Sequence, residues 1–267
     1  MMQLTSLASG SSGNCTLIQS DRTHILVDAG ISCRRIETGL QQMDITASEL
    51  SGIFITHEHS DHISGLKILS RKHHIPIYGT AETLVAIHSA DRDAVIDPTL
   101  FCPVLPDQIC AVGDLTVLPF SNTHDAANPV GYRVSCENRA VAVCTDLGNY
   151  SQYTVNHLLG LDALLLEANH DIRMLQAGPY PYSLKRRILS DFGHLSNEAS
   201  GRLLSELLHD GMRKIMLGHI SKENNFEDLA LTAVRLEIDA ADTPYRADDF
   251  PIITANRDTL SETIIIP

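Results

Sequence analysis

Residues 57–62 read His57-Glu58-His59-Ser60-Asp61-His62, and five of these six residues are of types that bind metal ions. A mostly apolar run over residues 52–56 leads directly into them. In extended chain, side chains two residues apart point to the same side, so His57 and His59 can share one cation. The neighbours Asp61 and His62 diverge toward a second position. The stretch therefore predicts a site for two metal ions at the end of a strand.

The composition predicts a globular protein with free thiols. Of the 267 residues, 43% are apolar, and no repeat, linker or low-complexity tract divides the chain, so we expect one domain over residues 1–267. The N-terminus lacks a basic and apolar leader, and no run of about 18 apolar residues occurs, which predicts a cytoplasmic protein without a membrane partner. The six cysteines show no Cys-x-x-Cys spacing, so we predict that they are reduced.

The net charge of −13 argues against broad non-specific binding to nucleic acid. Two divalent cations would restore positive potential at the place where acidic ligands cluster. The charge therefore weighs only mildly against an anionic substrate.

Short apolar runs and amphipathic stretches alternate along the first half of the chain. They predict strands at residues 3–8, 16–19 and 23–27, in a meander, and helices at residues 32–42, 63–73 and 80–90. Residues 91–106 are rich in Pro and Asp and are predicted to be irregular.

In the second half, four apolar strands each lead into a residue that can bind metal or carry protons. The strands at residues 115–120, 140–144, 163–166 and 214–217 precede His124, Asp146, Glu167 and His219. Parallel or mixed sheets bring such strand ends to one edge. Helices at residues 197–209 and 228–238 and strands at 252–254 and 263–266 complete an α/β pattern of sheets covered by helices.

The candidate ligands are imidazoles and carboxylates without thiolate, a set that suits zinc, manganese or iron(II). Asp146 can bridge two ions, and Asp61 is assigned a catalytic as well as a metal-binding role. A structural zinc site would close four ligands around one ion, so seven candidates favour a catalytic centre. The seven are His57, His59, Asp61, His62, His124, Asp146 and His219.

Hydrolysis of a poor leaving group also needs a proton donor. His194 and Glu167 supply the residue types for it, because a carboxylate can fix the tautomer of an imidazole and keep it protonated. We predict that this pair acts as a general acid.

Two further segments are candidates for holding the substrate. The turn at residues 9–14, with Ser11, Ser12 and Asn14, can point amides and hydroxyls at an anion, although the same pattern is common in ordinary hairpins. Residues 180–187 combine aromatic and basic side chains, which can stack bases and bind phosphates or can simply face water. The candidates in this second segment are Tyr182, Lys185, Arg186 and Arg187.

These motifs together resemble the metallo-β-lactamase fold superfamily of hydrolases. The resemblance implies an αββα sandwich in which His57, His59 and His124 hold one ion, Asp61, His62 and His219 hold the other, and Asp146 bridges them. It spans nearly the whole chain.

More narrowly, residues 167–168, 194–196 and 218–221 resemble the ribonuclease Z arrangement of acidic loop, catalytic His and last metal His. The opening residues 7–14 and the run 180–197 look most like the bacterial YycJ/WalJ (VicX) family, which implies a single-domain 5′-to-3′ exonuclease acting on nucleic acid. The chain has no room for the inserted domain of ribonuclease J and shows no arm for gripping tRNA, which argues against tRNA processing.

Two alternatives stay open at this stage. One is a hydrolase of a small phosphodiester, such as a cyclic nucleotide or cyclic sugar phosphate. The other is a metal-binding interaction module that is catalytically idle. A true β-lactamase is disfavoured because Asp146 is atypical of those enzymes and no export signal is present, and a glyoxalase-type thioesterase would not need Glu167 and His194.

Overall fold

The computed structural model describes residues 1–267 as two seven-stranded sheets with helices on their outer faces. The strands, β1 to β14 in chain order, are Met2–Ala8, Cys15–Ser20, His24–Val27, Leu50–Phe54, Ile77–Thr80, Phe101–Val104, Cys110–Val112, Leu115–Ser121, Val130–Cys136, Arg139–Cys144, Ala163–Glu167, Lys214–Gly218, Ile252–Thr254 and Ile264–Ile266. The α-helices, α1 to α9, are Cys33–Gln41, Ser60–Ile63, Leu66–His73, Ala81–Ala90, Gln152–Leu158, Ile172–Ala177, Tyr182–Ile188, Asn197–Leu207 and Glu227–Ala240.

Both sheets are mixed. The first has the order β14-β1-β2-β3-β4-β5-β6, in which β1 to β3 form the antiparallel meander that the sequence predicts and β3 to β6 run parallel. The second has the order β13-β12-β11-β10-β9-β8-β7, in which β10 to β13 run parallel. Parallel strands place their carboxyl ends at one edge of a sheet. In both sheets that edge carries candidate metal ligands predicted from the sequence.

Three apolar clusters give the molecule four layers. Twenty buried residues, among them Phe54 and Tyr132, fill the space between the two sheets. A second cluster joins the first sheet to α1, α3 and α4, and a third joins the second sheet to α5, α8 and α9. Since each sheet buries one face against the other and one face against helices, the predicted αββα sandwich is confirmed.

The helix predicted at residues 63–73 is interrupted. A short helix, α2, ends at Ile63, and α3 begins at Leu66. Between them the Gly65 amide donates to the Ala29 carbonyl at 2.8 Å, and a Cβ at Gly65 would lie 2.0 Å from the Ile31 carbonyl oxygen. The prediction of one continuous helix was wrong because a contact distant in sequence turns the chain here.

Residues 91–106 are less irregular than predicted. A short 3₁₀ helix, Pro98–Leu100, precedes β6, which pairs parallel to β5 alone. Pro103 lies within this strand, and an edge strand tolerates proline because one row of its amides needs no partner in the sheet.

All six cysteines are free, as predicted, and none of the helices is long and apolar enough to cross a membrane.

Candidate metal centre

The candidate ligands meet at one edge of the sandwich because each follows a strand. The 57–62 stretch comes after β4 in the first sheet, and His124, Asp146 and His219 come after β8, β10 and β12 in the second. Glu167 is the last residue of β11, between β10 and β12. Two sheets packed face to face thus bring ligands from distant parts of the chain into one cluster.

One side of the cluster is formed by three imidazoles. His57 Nε2 lies 3.0 Å from His59 Nδ1, and His124 Nε2 lies 3.3 Å from the same His59 atom. One ring nitrogen from each of the three can be chosen so that all lie within 4.8 Å of one another. This spacing would let one cation contact all three.

The other side is formed by Asp61, His62 and His219, whose ligand atoms also lie within 4.8 Å of one another. Asp146 stands between the two sides. Its Oδ2 is 3.1 Å from His62 Nε2 and 3.0 Å from His219 Nδ1, and its Oδ1 is 3.8 Å from His124 Nε2. One carboxylate therefore faces both groups of imidazoles, which is the arrangement that a bridging ligand requires.

Unsatisfied buried atoms show that these residues fit a metal ion. Asp146 Oδ2 and both ring nitrogens of His219 are buried and lack a hydrogen bond of acceptable geometry, although Oδ2 and Nδ1 are only 3.0 Å apart. Buried polar groups are normally paired, and leaving one unpaired costs about 1–3 kcal/mol. Nitrogen and oxygen donors with lone pairs converging on one point suit a divalent cation.

The buried position and the neighbouring charges of the cluster shift the pKa values of its histidines. Burial lowers the pKa of His57 well below its ordinary value and also lowers the pKa of His124, which leaves the two imidazoles neutral as metal binding requires. At His62 and His219 burial acts in the same direction, but the neighbouring carboxylates, Asp146 first among them, together outweigh it. They raise the pKa of His62 well above its ordinary value and the pKa of His219 to about 9. These two imidazoles balance the carboxylate, a role that a bound cation would take over.

Residues behind the candidate ligands orient the imidazoles, and the main one, Asp28, was not predicted from the sequence. Asp28 is buried after β3, and its Oδ2 lies 2.7 Å from His62 Nδ1. Thr56 donates its hydroxyl to Asp28 at 2.9 Å, and the same hydroxyl lies 3.0 Å from His57 Nδ1. Position after a predicted strand, the signal that identified Asp146, was available for Asp28 as well.

Glu167 and His194 form the pair that the sequence predicts as a proton donor. His194 Nδ1 lies 2.8 Å from Glu167 Oε1, and Glu167 Oε2 accepts from the amides of Leu147 and Leu195 at 2.9 and 3.1 Å. Glu167 is fully buried, whereas His194 is partly exposed. The carboxylate is thus fixed from several sides, and the imidazole that it orients lies at the wall of a cavity.

This cavity of about 340 Å³ opens over the cluster. Besides His59, Asp61, His124, Asp146, His194 and His219, its lining includes Ser11, Tyr180 and Arg187. The other predicted substrate contacts, Ser12, Asn14, Tyr182, Lys185 and Arg186, are outside this lining.

The turn at residues 9–14 keeps donors free. The Ser11 and Ser12 amides donate to no acceptor in the chain, and both residues are exposed. Asn14 is buried, and its side chain accepts from the Gly10 amide at 2.9 Å and donates to the Gly10 carbonyl at 3.1 Å. Asn14 therefore holds the shape of the turn, while Ser11 faces the cavity.

The candidate substrate-binding residues of α7 differ in their contacts. Lys185 donates to the carbonyl oxygens of Gln176 and Gly178, both at 2.7 Å, and so fastens α7 to the end of α6. Arg186 and Tyr182 are exposed. Arg187 lines the cavity and pairs with Asp125, its Nη2 donating to Oδ1 at 2.8 Å while its Nε donates to Oδ2.

His170 stays outside the cluster. It is buried, neither ring nitrogen has a hydrogen-bond partner, and burial lowers its pKa to about 4, so the ring is neutral.

Comparison with known proteins agrees with this description. The sequence model of the family described as "Beta-lactamase superfamily domain" matches residues 23–220. The exodeoxyribonuclease YycJ of Bacillus anthracis is 39% identical over 228 residues, 85% of this chain and 86% of that protein. The exodeoxyribonuclease WalJ of Streptococcus pneumoniae is 36% identical over 253 residues, 95% of this chain and 94% of that protein. The crystal structure of Zn²⁺-bound PqqB from Methylobacterium extorquens shares the fold, with a TM-score of 0.73 at 16% identity over 99% of this chain and all of that one.

Proposed function

The chain belongs to the β-lactamase superfamily of metal-dependent hydrolases, as a relative of the bacterial proteins YycJ and WalJ, and from this premise we propose a specific activity. We propose a dinuclear phosphodiesterase that acts as a 5′-to-3′ exonuclease on single-stranded or end-exposed nucleic acid, with DNA as the substrate. The observation that carries the proposal is the Glu167–His194 pair at the wall of the cavity that also holds the converging ligands.

Divalent metal ions are the cofactor, and we propose two of them per chain, either zinc or manganese, with iron(II) as a third option. His57, His59 and His124 would hold one ion, Asp61, His62 and His219 the other, and Asp146 would contact both. When bound, such a pair lowers the pKa of water and stabilises negative charge on phosphoryl oxygens.

The chain's own residues account for positioning and proton transfer. Arg187 reaches the cavity as a planar cation whose Nη1 stays free to donate to a phosphate oxygen while its Nε and Nη2 bind Asp125. The free Ser11 and Ser12 amides would receive the terminal phosphate, which favours digestion from a 5′-phosphorylated end. His194, held by Glu167, would protonate the leaving oxygen, because its Nδ1 is bonded to the carboxylate and its Nε2 remains free to donate.

The partner would be nucleic acid, and we propose a cytoplasmic location because all six thiols are free. The negative net charge of the chain does not oppose binding of nucleic acid, since cations at the cluster would offset its carboxylates.

The activity of purified protein tests the proposal. The protein is freed of metal, reloaded with Mn²⁺, Zn²⁺ or Mg²⁺, and given end-labelled single-stranded DNA, the RNA of the same sequence, a DNA duplex and a cyclic dinucleotide. We expect nucleotide release from single strands in a direction set by the 5′ end. Hydrolysis of the cyclic dinucleotide alone would favour the small-substrate alternative, for which the cavity of about 340 Å³ is large enough.

His194→Ala tests the mechanism. Loss of a general acid typically lowers turnover roughly 10²- to 10⁴-fold, so we expect such a loss with unchanged metal content. A nitrophenyl phosphodiester, whose leaving group needs no proton, should lose much less rate. An equal loss on both substrates would show that His194 supports the site without donating a proton.

A further inference from the structure

A second cavity, of about 360 Å³, lies beside the first. The two share the same two segments as walls. In the turn, Ser9 lines the second cavity and Ser11 the first; after β12, Ser221 lines the first and Lys222 the second. The segments are fastened together because the His219 amide donates to Ser9 Oγ at 2.8 Å. These two segments therefore form the boundary between the two cavities.

The Arg257 guanidinium lies at this wall without an anionic partner. Arg257 Nη2 donates to the Ile220 carbonyl at 2.7 Å, and its Nη1 lies close to Gly10, where a Cβ would come within 2.8 Å. No carboxylate lies within 4.0 Å of the Arg257 guanidinium, and Lys222 likewise forms no ion pair. In a chain with 33 acidic and 20 basic residues, an unpaired guanidinium between two cavities is available to a phosphate.

Phe226 supplies an aromatic surface in the second cavity. It is the residue that precedes α9, and 54% of it is exposed. No other aromatic side chain lines this cavity. An exposed ring beside a cation is the combination with which proteins stack the bases of single strands.

The remaining charges of the cavity favour a base over a second phosphate. Glu227 and Asp228 also line it and offset Lys222 and Arg257 in number. The Glu227 carboxylate accepts from the Thr254 hydroxyl at 3.2 Å. A lining without net charge suits the uncharged ring of a base. The phosphate would contact Arg257 at the wall instead.

We propose that the second cavity is a nucleotide-binding subsite, in which Phe226 stacks a base of the strand whose phosphodiester lies in the first cavity and Arg257 contacts the phosphate between them. The inference rests on the proposed function. It names Phe226 and Arg257 as residues that make the enzyme prefer longer strands.

The test measures KM against strand length for Phe226→Ala, Phe226→Tyr and the control Arg71→Ala, whose side chain is exposed on α3. Loss of one stacked base should raise KM for an octanucleotide roughly tenfold in Phe226→Ala. KM for a nitrophenyl phosphodiester, which cannot reach the second cavity, should stay unchanged, and Phe226→Tyr should retain the wild-type values. Arg257→Gln, which can still donate to the Ile220 carbonyl, should reduce the salt dependence of octanucleotide binding by about one ion.

An equal rise in KM for both substrates, or no rise for either, would overturn the subsite. If the wild-type protein cleaves no oligonucleotide, the proposed function fails and the subsite with it. If the wild type is active and Phe226→Ala keeps its KM for the octanucleotide, the subsite alone fails.

Discussion

At the scale of residues, the cluster is held by backbone conformations that side chains rarely adopt. Asp28, Asp146 and His219 each follow a strand and have φ of 62°, 56° and 50°. The left-handed region costs a residue other than glycine about 1–3 kcal/mol unless its surroundings compensate for it. Asp146 and His219 were identified from sequence by their position after apolar strands. Asp28 also follows a predicted strand but was missed, and its role was not evident because its partner His62 is 34 residues away and only the fold brings them together.

Asp28→Asn should weaken metal binding, because the buried carboxylate that orients His62 would be lost. Removal of the hydrogen-bond partner of a metal-binding imidazole typically lowers metal affinity about 10- to 100-fold. The control is Asp44→Asn, since Asp44 also has a positive φ, of 58°, but is exposed and precedes β4, whereas the cluster follows the other end of that strand. Competition with a coloured chelator measures the affinity. Equal affinities for the two variants would show that Asp28 has no orienting role.

Arg187→Ala should raise KM for oligonucleotides and reduce the salt dependence of that KM, because a phosphate contact is lost. A small nitrophenyl phosphodiester should be affected much less. Arg186→Ala, one residue away on an exposed position outside the cavity, is the matched control and should have the smaller effect. Steady-state kinetics at several salt concentrations measure KM for each variant. A larger effect from Arg186→Ala would place the nucleic-acid strand on the outer face of α7.

At the scale of elements, the sequence predicted many of the elements whose own periodicity is strong, but it missed the seven-residue strand β9. The β1 to β3 meander, α1 and α4 occur close to the predicted bounds, and the Thr80 hydroxyl accepts from the Thr83 amide at the start of α4. The short strands β5, β6 and β7 were missed because three or four residues carry little pattern, and pairing with neighbours stabilises them. The break before α3 was missed because it too depends on contacts distant in sequence, namely packing against residues 29–31.

Gly30→Ala tests how α2 is positioned. A Cβ at Gly30 would lie 1.7 Å from the Asp61 carbonyl oxygen, so the added methyl must push α2, with Asp61 and His62, away from the loop after β3. We expect weaker metal binding and a lower melting temperature. Gly79→Ala, whose Cβ would meet Leu84 at an ordinary 3.4 Å, is the control. Wild-type affinity in Gly30→Ala would contradict this account of how α2 is held.

At the scale of the whole molecule, the layers could be predicted but the order of strands could not. Apolar strands that alternate with amphipathic helices indicate helices packed on sheets, and strand ends that carry ligands indicate a shared edge. That β14 pairs with β1, so that the two ends of the chain meet, depends on contacts across more than 250 residues that no local pattern records. Because the two sheets share one core, we propose that residues 1–267 unfold as one domain. Two separate calorimetric transitions would contradict the proposal of a single domain.

The proposed activity requires that the cluster holds two ions which together support nucleotide release. The most direct measurement titrates the metal-free protein with Mn²⁺ or Zn²⁺ while following bound metal and nucleotide release from 5′-phosphorylated single-stranded DNA. We predict that two ions bind per chain and that release reaches its full rate only when the second is bound. Full activity with a single ion, or two bound ions without any nucleotide release, would contradict the claim.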